Sequence, residues 1–273
     1  IIFSLLALLS AFVVAIGTKE NDNAIRQAAQ NKTTLRQVFS AIFHNDQILW
    51  PSLAYLLYSL AYVMTNGVLY YLYKFVLGQP GQFWIVGVIA TIIGFCTSPL
   101  YPILNKYIPR KVLFVAGQCF MAVAYLIFLF LRSNIFMLDV GLVLFDINFA
   151  QLVTVLTLTD AIEYGQLKNG QRNEAVVLAV RPMIDKLTGA VSNGLVGYIA
   201  VAANMTGAAT AASMTAKDIA TFDRLAFYIP LALAICSVLV FLFKVNLSEK
   251  KHDEVVKQLE AKIAEEGNNE NAN

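Results

Sequence analysis

The chain has 273 residues, of which 58% are hydrophobic and 14% charged, with a net charge of +2 and a mean hydropathy of +0.63. That balance excludes an ordinary soluble domain and leaves too few basic residues, scattered over short loops, for nucleic-acid binding. The class it predicts is an all-α, polytopic membrane protein.

The first apolar run, 1–17, has no initiating Met, no basic residue before it and no small-residue cleavage site after it. It reads as the end of a truncated transmembrane helix rather than a signal peptide. Residues 18–48, rich in Asn, Gln and Ala, read as a polar linker. Six apolar runs follow, at 49–73, 84–104, 112–131, 135–159, 175–203 and 222–245. Each has the length, about 20 residues, that a helix needs to cross a bilayer. Together they predict a six-helix bundle over 49–247, the last six helices of a longer protein. In 248–273, Val255, Val256, Leu259 and Ile263 recur at helical spacing among Lys and Glu, which predicts an amphipathic tail helix with a disordered end. Lys19, Arg26, Lys32 and Arg36, then Lys106, Arg110 and Lys111, then Lys168 and Arg172, and finally the tail lysines fall on one side of the alternating loops. Basic loops face the cytoplasm, so the linker and the C-terminus are expected there. Cys96, Cys119 and Cys236 lie singly in apolar runs and read as buried, inert thiols rather than a disulfide or a metal site.

The run 49–73 brings Tyr55, Ser59, Tyr62 and Asn66 into one narrow sector, about 60° wide at 100° per residue. Aromatic rings beside hydroxyl and amide groups suit a sugar, whose C–H face stacks while its hydroxyls take polar partners. Packing and interfacial anchoring is the other reading, and it suits Tyr70, Tyr71 and Tyr73 better.

The run 135–159 is expected to be one helix carrying Asp139 and Asp146 on one face, with Asn148 and Gln151 on another side. Asp139, near the outer end, reads as solvated. Asp146 is deep enough to need a partner or a proton, so coupled protonation and a structural hydrogen bond both stand.

Arg181, Asp185 and Lys186 lie in the middle of the run 175–203. Charged side chains at that depth cost about 2.5–3.5 kcal/mol each on insertion scales, so they face protein, a partner or a watery path. From Glu174 at the inner end, Lys186 is 12 residues on, roughly 18 Å at 1.5 Å per residue and so near the midplane. Arg181 and Asp185 share a face that Thr188, Gly189 and Ser192 continue. Either this stripe lines a cavity, or the Arg181–Asp185 pair only fixes helix packing. No nucleophile triad, HExxH, Walker loop or dinucleotide loop is present, and His44 and His252 lie in polar segments. Neither an enzyme nor a cofactor or metal site is expected.

The segment Asp160-Ala161-Ile162-Glu163-Tyr164-Gly165-Gln166-Leu167-Lys168-Asn169-Gly170-Gln171-Arg172-Asn173-Glu174 precedes the helix that carries Arg181-Pro182-Met183-Ile184-Asp185-Lys186. It resembles the loop and eleventh helix of the glycoside-pentoside-hexuronide:cation symporters, a branch of the major facilitator fold, and most closely the lactose and galactoside permeases of lactic-acid bacteria. The resemblance extends over most of the chain. It implies the C-terminal half of a 12-helix carrier in which two halves rock around a central sugar site. The implied activity is uptake of a lactose-type or galactoside sugar by cation-coupled symport.

By the same resemblance Lys186 matches a lysine beside the sugar and cation sites. Arg181 stands in the place of a sugar-proximal Gln and Gln151 in that of a Trp, so sugar contacts differ. Lys168 and Glu174 match charged loop positions tied to transport, and with Asp160, Glu163 and Arg172 they make a cytoplasmic gate loop. Gln171 departs from the His that many of those permeases carry. Substrate binding and coupling are thus expected of Lys186, Arg181, Asp185, Gln151, Tyr62 and Asn66. The implied partners are a sugar, a coupling cation (H+ or Na+) held mainly by the N-terminal half, that half itself and the lipid bilayer of the cell membrane. A non-transporting sugar sensor or scaffold of the same fold is the alternative.

Overall fold

The computed structural model describes residues 2–17, 42–43, 45–170 and 174–270. Its contacts divide the chain into two units, Ile1–Phe39 and Ser40–Asn273. In the first, the described residues form one helix, α1 (Ile2–Gly17), with Leu8, Phe12 and Ile16 exposed. Most of the expected linker falls outside the described residues.

In the second unit, α2 (Asp46–Tyr71) begins at Asn45, whose side chain accepts a hydrogen bond from the Gln47 amide at 3.0 Å. This is the usual work of an N-cap, which satisfies an amide that the first turn leaves without a partner. A π-helical turn, Leu72–Val76, continues α2. Next come α3 (Trp84–Tyr107), α4 (Arg110–Phe130), α5 (Ile135–Asp146), α6 (Ala150–Asn169) and α7 (Glu174–Ala202). The chain ends with α8 (Ala216–Asp223), a second π-helical turn at Arg224–Tyr228, α9 (Ile229–Lys244) and α10 (Glu249–Glu270).

Helix α2 is the hub, packed on α6, α7 and α9, and its Tyr55, Tyr58, Ala61, Met64 and Val68 are buried. Apolar burial gains little inside a bilayer, where lipid is as apolar as leucine, so close approach and polar contacts between helices carry more weight. Both occur here. A Cβ on Gly67 would lie 2.6 Å from Val196 Cγ2, so only glycine lets α7 come this near. Ser237 of α9 donates to the Ala54 carbonyl at 2.6 Å, and Tyr125 of α4 sits 2.8 Å from the Thr65 hydroxyl. By contrast α3 rests mainly on α5 and leaves Trp84, Phe95, Ile103 and Tyr107 exposed.

The run 135–159 is not one helix. It breaks at residues 147–149, between α5 and α6. Asn148 makes the break: its amide donates to the Asp146 carbonyl at 2.8 Å, and its side-chain oxygen accepts from the Ala150 amide at 2.7 Å. Side chain and backbone thus supply locally what the helix would have supplied, as Asn commonly does at turns and caps. Gly117 of α4 makes room, since a Cβ there would lie 3.2 Å from the Phe149 nitrogen and 3.4 Å from Asn148 Cα. Exposed backbone groups are tolerated at membrane depth only where protein covers them, and α4 covers these.

Among the described residues, five stretches are long and apolar enough to cross a membrane: Asp46–Val76, Pro80–Tyr107, Arg110–Phe130, Ile135–Lys168 and Ala216–Lys244. Helix α7 is also long, at 29 residues, but Arg181, Asp185, Lys186, Thr188, Ser192 and Asn193 in its middle keep it out of that set. The three cysteines are free, as expected, but exposed rather than buried. They lie on outward faces of α3, α4 and α9, where an apolar run signals contact with lipid as readily as with a core.

Candidate functional site

Tyr55, Tyr58 and Tyr62 are three and four residues apart, so they stack along one face of α2. Their ring centroids are 5.9 and 5.8 Å apart in turn, and Tyr62 lies flat on Phe145 of α5 at 5.0 Å and 9°. At each end of this ladder a hydroxyl donates to a carboxylate on another helix. Tyr55 donates to Asp185 of α7 at 2.7 Å, and Tyr62 donates to Asp146 of α5 at 3.0 Å. Asp185 also stands 3.6 Å from Arg181 Nε, one turn away on α7. The Asn66 amide donates to the Tyr62 carbonyl at 3.0 Å, next to the second carboxylate. Seven residues separate the two tyrosines, so the carboxylates are held roughly 10 Å apart along α2.

The Arg181 and Asp185 side chains are 30% and 39% exposed, so the pair borders open space and is not sealed in the bundle. The stripe expected beyond it differs. Thr188 and Ser192 are buried, with hydroxyls that find no hydrogen-bond partner among the described residues. At Gly67 and Val196 the backbone of α2 comes so close to α7 that this part of the stripe becomes packing surface. Lys186 points away from the stripe and is exposed, with no carboxylate within 4 Å among the described residues. Gln151 is exposed in the first turn of α6, just past the break. Asp139, expected to be solvated, is half-buried, with Oδ1 shielded and without a hydrogen-bond partner among the described residues. Hydrogen bonds therefore join Asp185 and Asn66 to a ladder that includes Tyr62, an ion pair adds Arg181 through Asp185, and Lys186 and Gln151 are left outside these contacts.

A second group of charges closes the other end of α6. Asp160 pairs with Arg110 at the start of α4. Lys168 donates to Asp46 at 2.7 Å, and Tyr164 donates to the same oxygen at 3.2 Å. The Asn45 amide donates to the Ala161 carbonyl at 3.0 Å, and Gly165 is the residue that lets it pass, since a Cβ there would lie 2.7 Å from Asn45 Nδ2. Glu163 lies 3.7 Å from His252 of α10. Glu174 is exposed in the first turn of α7, where a carboxylate suits the positive end of the helix. Arg172, with Gln171 and Asn173, lies outside the described residues.

Sequence reading did not select Tyr58, Phe145, Asp46 or the pairing of Arg110. Phe145 and Tyr58 look like any core aromatic, and Asp46 meets Lys168 across 122 positions. The helix break did leave a trace, a lone Asn two residues after an Asp inside an apolar run, which is cap chemistry out of place. Chemically, the group offers a partly exposed carboxylate and guanidinium, Asp185 and Arg181, and the half-buried Tyr62 and Asn66, while Tyr55 and Tyr58 are buried. That pattern matches a polyol with a C–H face and several hydroxyls.

Residues 1–249 match the family described as MFS/sugar transport protein. The chain is 68% identical over 264 residues to a lactose permease of Lactobacillus helveticus, covering 97% of this chain and 41% of that protein. It is 62% identical over 264 residues to a lactose permease of Leuconostoc lactis, with the same 97% and 41% coverage. It is 37% identical over 262 residues to a raffinose carrier protein of Pediococcus pentosaceus, covering 95% of this chain and 41% of that protein. The chain thus spans about two fifths of the length of the curated relatives it matches.

Proposed function

Because the chain belongs to the MFS/sugar transport protein family, whose matched relatives are carriers and not enzymes, we propose that it is part of a secondary transporter for a lactose-type galactoside. Uptake is driven by a co-transported cation, H+ or Na+, through alternating access. Helix α7 adds a sixth crossing to the five apolar stretches, and the six form one half of a two-half carrier. The other half brings further sugar contacts and most of the carboxylates for the cation. The linker and the tail are cytoplasmic.

One observation carries this reading: two tyrosine-bound carboxylates, from α5 and α7, flank an aromatic ladder on α2, and one of them borders open space. In the sugar-bound state Tyr62, the half-buried ring of the ladder, lies beside the pyranose. Arg181 and Asp185 bind its hydroxyls, and the Tyr62–Asp146 contact holds the broken helix at the same level. Lys186 faces the other half and links its acidic cation site to the sugar. Cation and sugar each stabilise the closed carrier over either open state, which couples their movement. As the inner gate opens and shuts, the Asp160–Arg110 and Asp46–Lys168 pairs break and re-form.

The test is accumulation of labelled lactose in proteoliposomes containing the whole two-half transporter, under an imposed proton or sodium gradient. Uphill, gradient-dependent uptake that galactosides inhibit is expected. Sugar binding without flux would overturn the carrier reading in favour of a sensor or scaffold.

A further inference from the structure

Asp146 is the last residue of α5, roughly 17 Å along the Ile135–Lys168 crossing and so near its middle, where the helix breaks. It is half-buried, and one hydrogen bond reaches it, from the Tyr62 hydroxyl of α2 at 3.0 Å. Among the described residues no cation pairs with it. The helices packed on α5 are α3 and α4. Lys106, Arg110 and Lys111 lie at one end of these two helices, and Arg132, paired with Asp223, lies just past the other end of α4. The remaining titratable neighbours are neutral or acidic. Tyr58 adjoins Tyr62 on α2, Tyr125 of α4 packs against Phe145 with its hydroxyl beside Thr65, and Asp139 stands two turns back on α5 itself.

A carboxylate in this place has the negative end of α5 against it and a single neutral donor in its favour. Membrane depth adds the cost of any charge without a partner. A proton removes the charge and keeps the contact, because the neutral carboxyl has an O–H of its own and can donate it to the Tyr62 oxygen. Tyr62, in turn, has only one hydroxyl hydrogen to give. With a pyranose beside its ring, two acceptors compete for that hydrogen, the Asp146 carboxylate and a sugar oxygen. When Tyr62 turns its O–H to the sugar, Asp146 loses its donor and takes a proton from solvent. The new carboxyl O–H then closes the same Tyr62–Asp146 contact in the opposite direction.

We propose that Asp146 is a proton-binding site in this half of the carrier, coupled to the sugar through the Tyr62 hydroxyl. Proton and sugar each strengthen the binding of the other, as the reciprocity of coupled sites requires. A metal cation suits the place less well, since it takes several oxygens at once, and no cluster of three acidic, His or Cys side chains occurs among the described residues. The inference rests on the transport reading for the sugar's place at Tyr62, and it adds a proton to the cation held by the other half.

The experiment is proton uptake on sugar binding by the complete two-half transporter, read with a pH indicator dye in weakly buffered detergent at saturating lactose, over a series of starting pH values. Wild type is expected to take up protons when lactose is added, and to bind lactose on the order of tenfold more tightly at the acid end of the series than at the alkaline end, a usual size for coupled sites. Asp146→Asn and Tyr62→Phe should each lose most of that uptake, the first because it has no carboxyl to protonate and the second because the sugar no longer controls it. Tyr62→Phe keeps the ring on Phe145, so it decides the matter even where Asp146→Asn does not fold. A contact that only holds helices together would weaken lactose binding in both variants and leave the uptake at saturation unchanged, and that result overturns the proposal. Wild type that binds lactose without taking up protons overturns this inference alone, whereas wild type that binds no lactose overturns the transport reading and this inference with it.

Discussion

Tyr62 donates its hydroxyl to Asp146 at the point where the α5–α6 span is interrupted, across 3.0 Å. The position of that carboxylate is unfavourable in itself. It sits at the C-terminal end of a short helix, where the dipole is negative and the last carbonyls lack helical partners. A donor from another helix offsets this, and α2 supplies one through a ring already fixed by stacking on Phe145.

Tyr62→Phe keeps the ring stack and removes only the donor. A hydrogen bond between membrane helices contributes on average about 0.6 kcal/mol and at most about 1.7. Thermal unfolding of Tyr62→Phe, Asp146→Asn and the double variant should therefore give a coupling in that range. Additive effects would mean that the contact carries no stability. Half-maximal uptake should move to higher galactoside concentration in Tyr62→Phe, because Asp146 is then free to shift.

Gly117 gives a second prediction. Gly117→Ala places a methyl 3.2 Å from the Phe149 nitrogen, a contact tight enough that α4 or the break must give by a few tenths of an ångström. Gly117→Leu cannot be accommodated in that way and should cost about 1–3 kcal/mol, the usual price of overpacking. Differential scanning fluorimetry of the two variants in detergent checks this. A Leu variant as stable as wild type would show that the break does not lean on α4.

Five of the six expected crossings were legible in the sequence because length and apolarity mark such a stretch, and a run of Val, Leu, Ile and Phe carries both. The polar middle of α7 was legible for the opposite reason, since Arg181 and Asp185 stand out against what surrounds them. What could not be read is set by distance along the chain. Tyr55 meets Asp185 across 130 positions and Asn45 meets Ala161 across 116, and no local pattern encodes either pairing. The buried state of Thr188 and Ser192 depends on how closely α2 approaches, which Gly67 decides from another helix.

The Asp46–Lys168 pair allows a test of the gate that stability does not obscure. Its side chains are 39% and 48% exposed, and such pairs contribute at most about 1 kcal/mol. Lys168→Asp should leave the unfolding temperature nearly unchanged while placing two carboxylates face to face, which favours the open gate. The reversed pair, Asp46→Lys with Lys168→Asp, restores attraction and should restore uphill uptake. Failure of the double reversal, with Lys168→Asp inactive, would assign Lys168 a role beyond this pair.

Lys186 gives the sharpest expectation. It is exposed on α7 without a carboxylate within reach among the described residues. An ammonium left so at membrane depth costs about 2.5–3.5 kcal/mol on insertion scales. A partner from outside these helices removes that cost, and the proposed cation site of the other half is acidic. Lys186→Ala should then leave the α2 ladder and the fold of this half intact, as judged by thermal unfolding, while gradient-driven accumulation of labelled galactoside collapses. Downhill exchange should suffer less, because it needs the sugar contacts but not their link to the cation. Uphill uptake by Lys186→Ala at the wild-type level would remove this residue from the mechanism and leave Arg181 and Asp185 as the functional charges of α7.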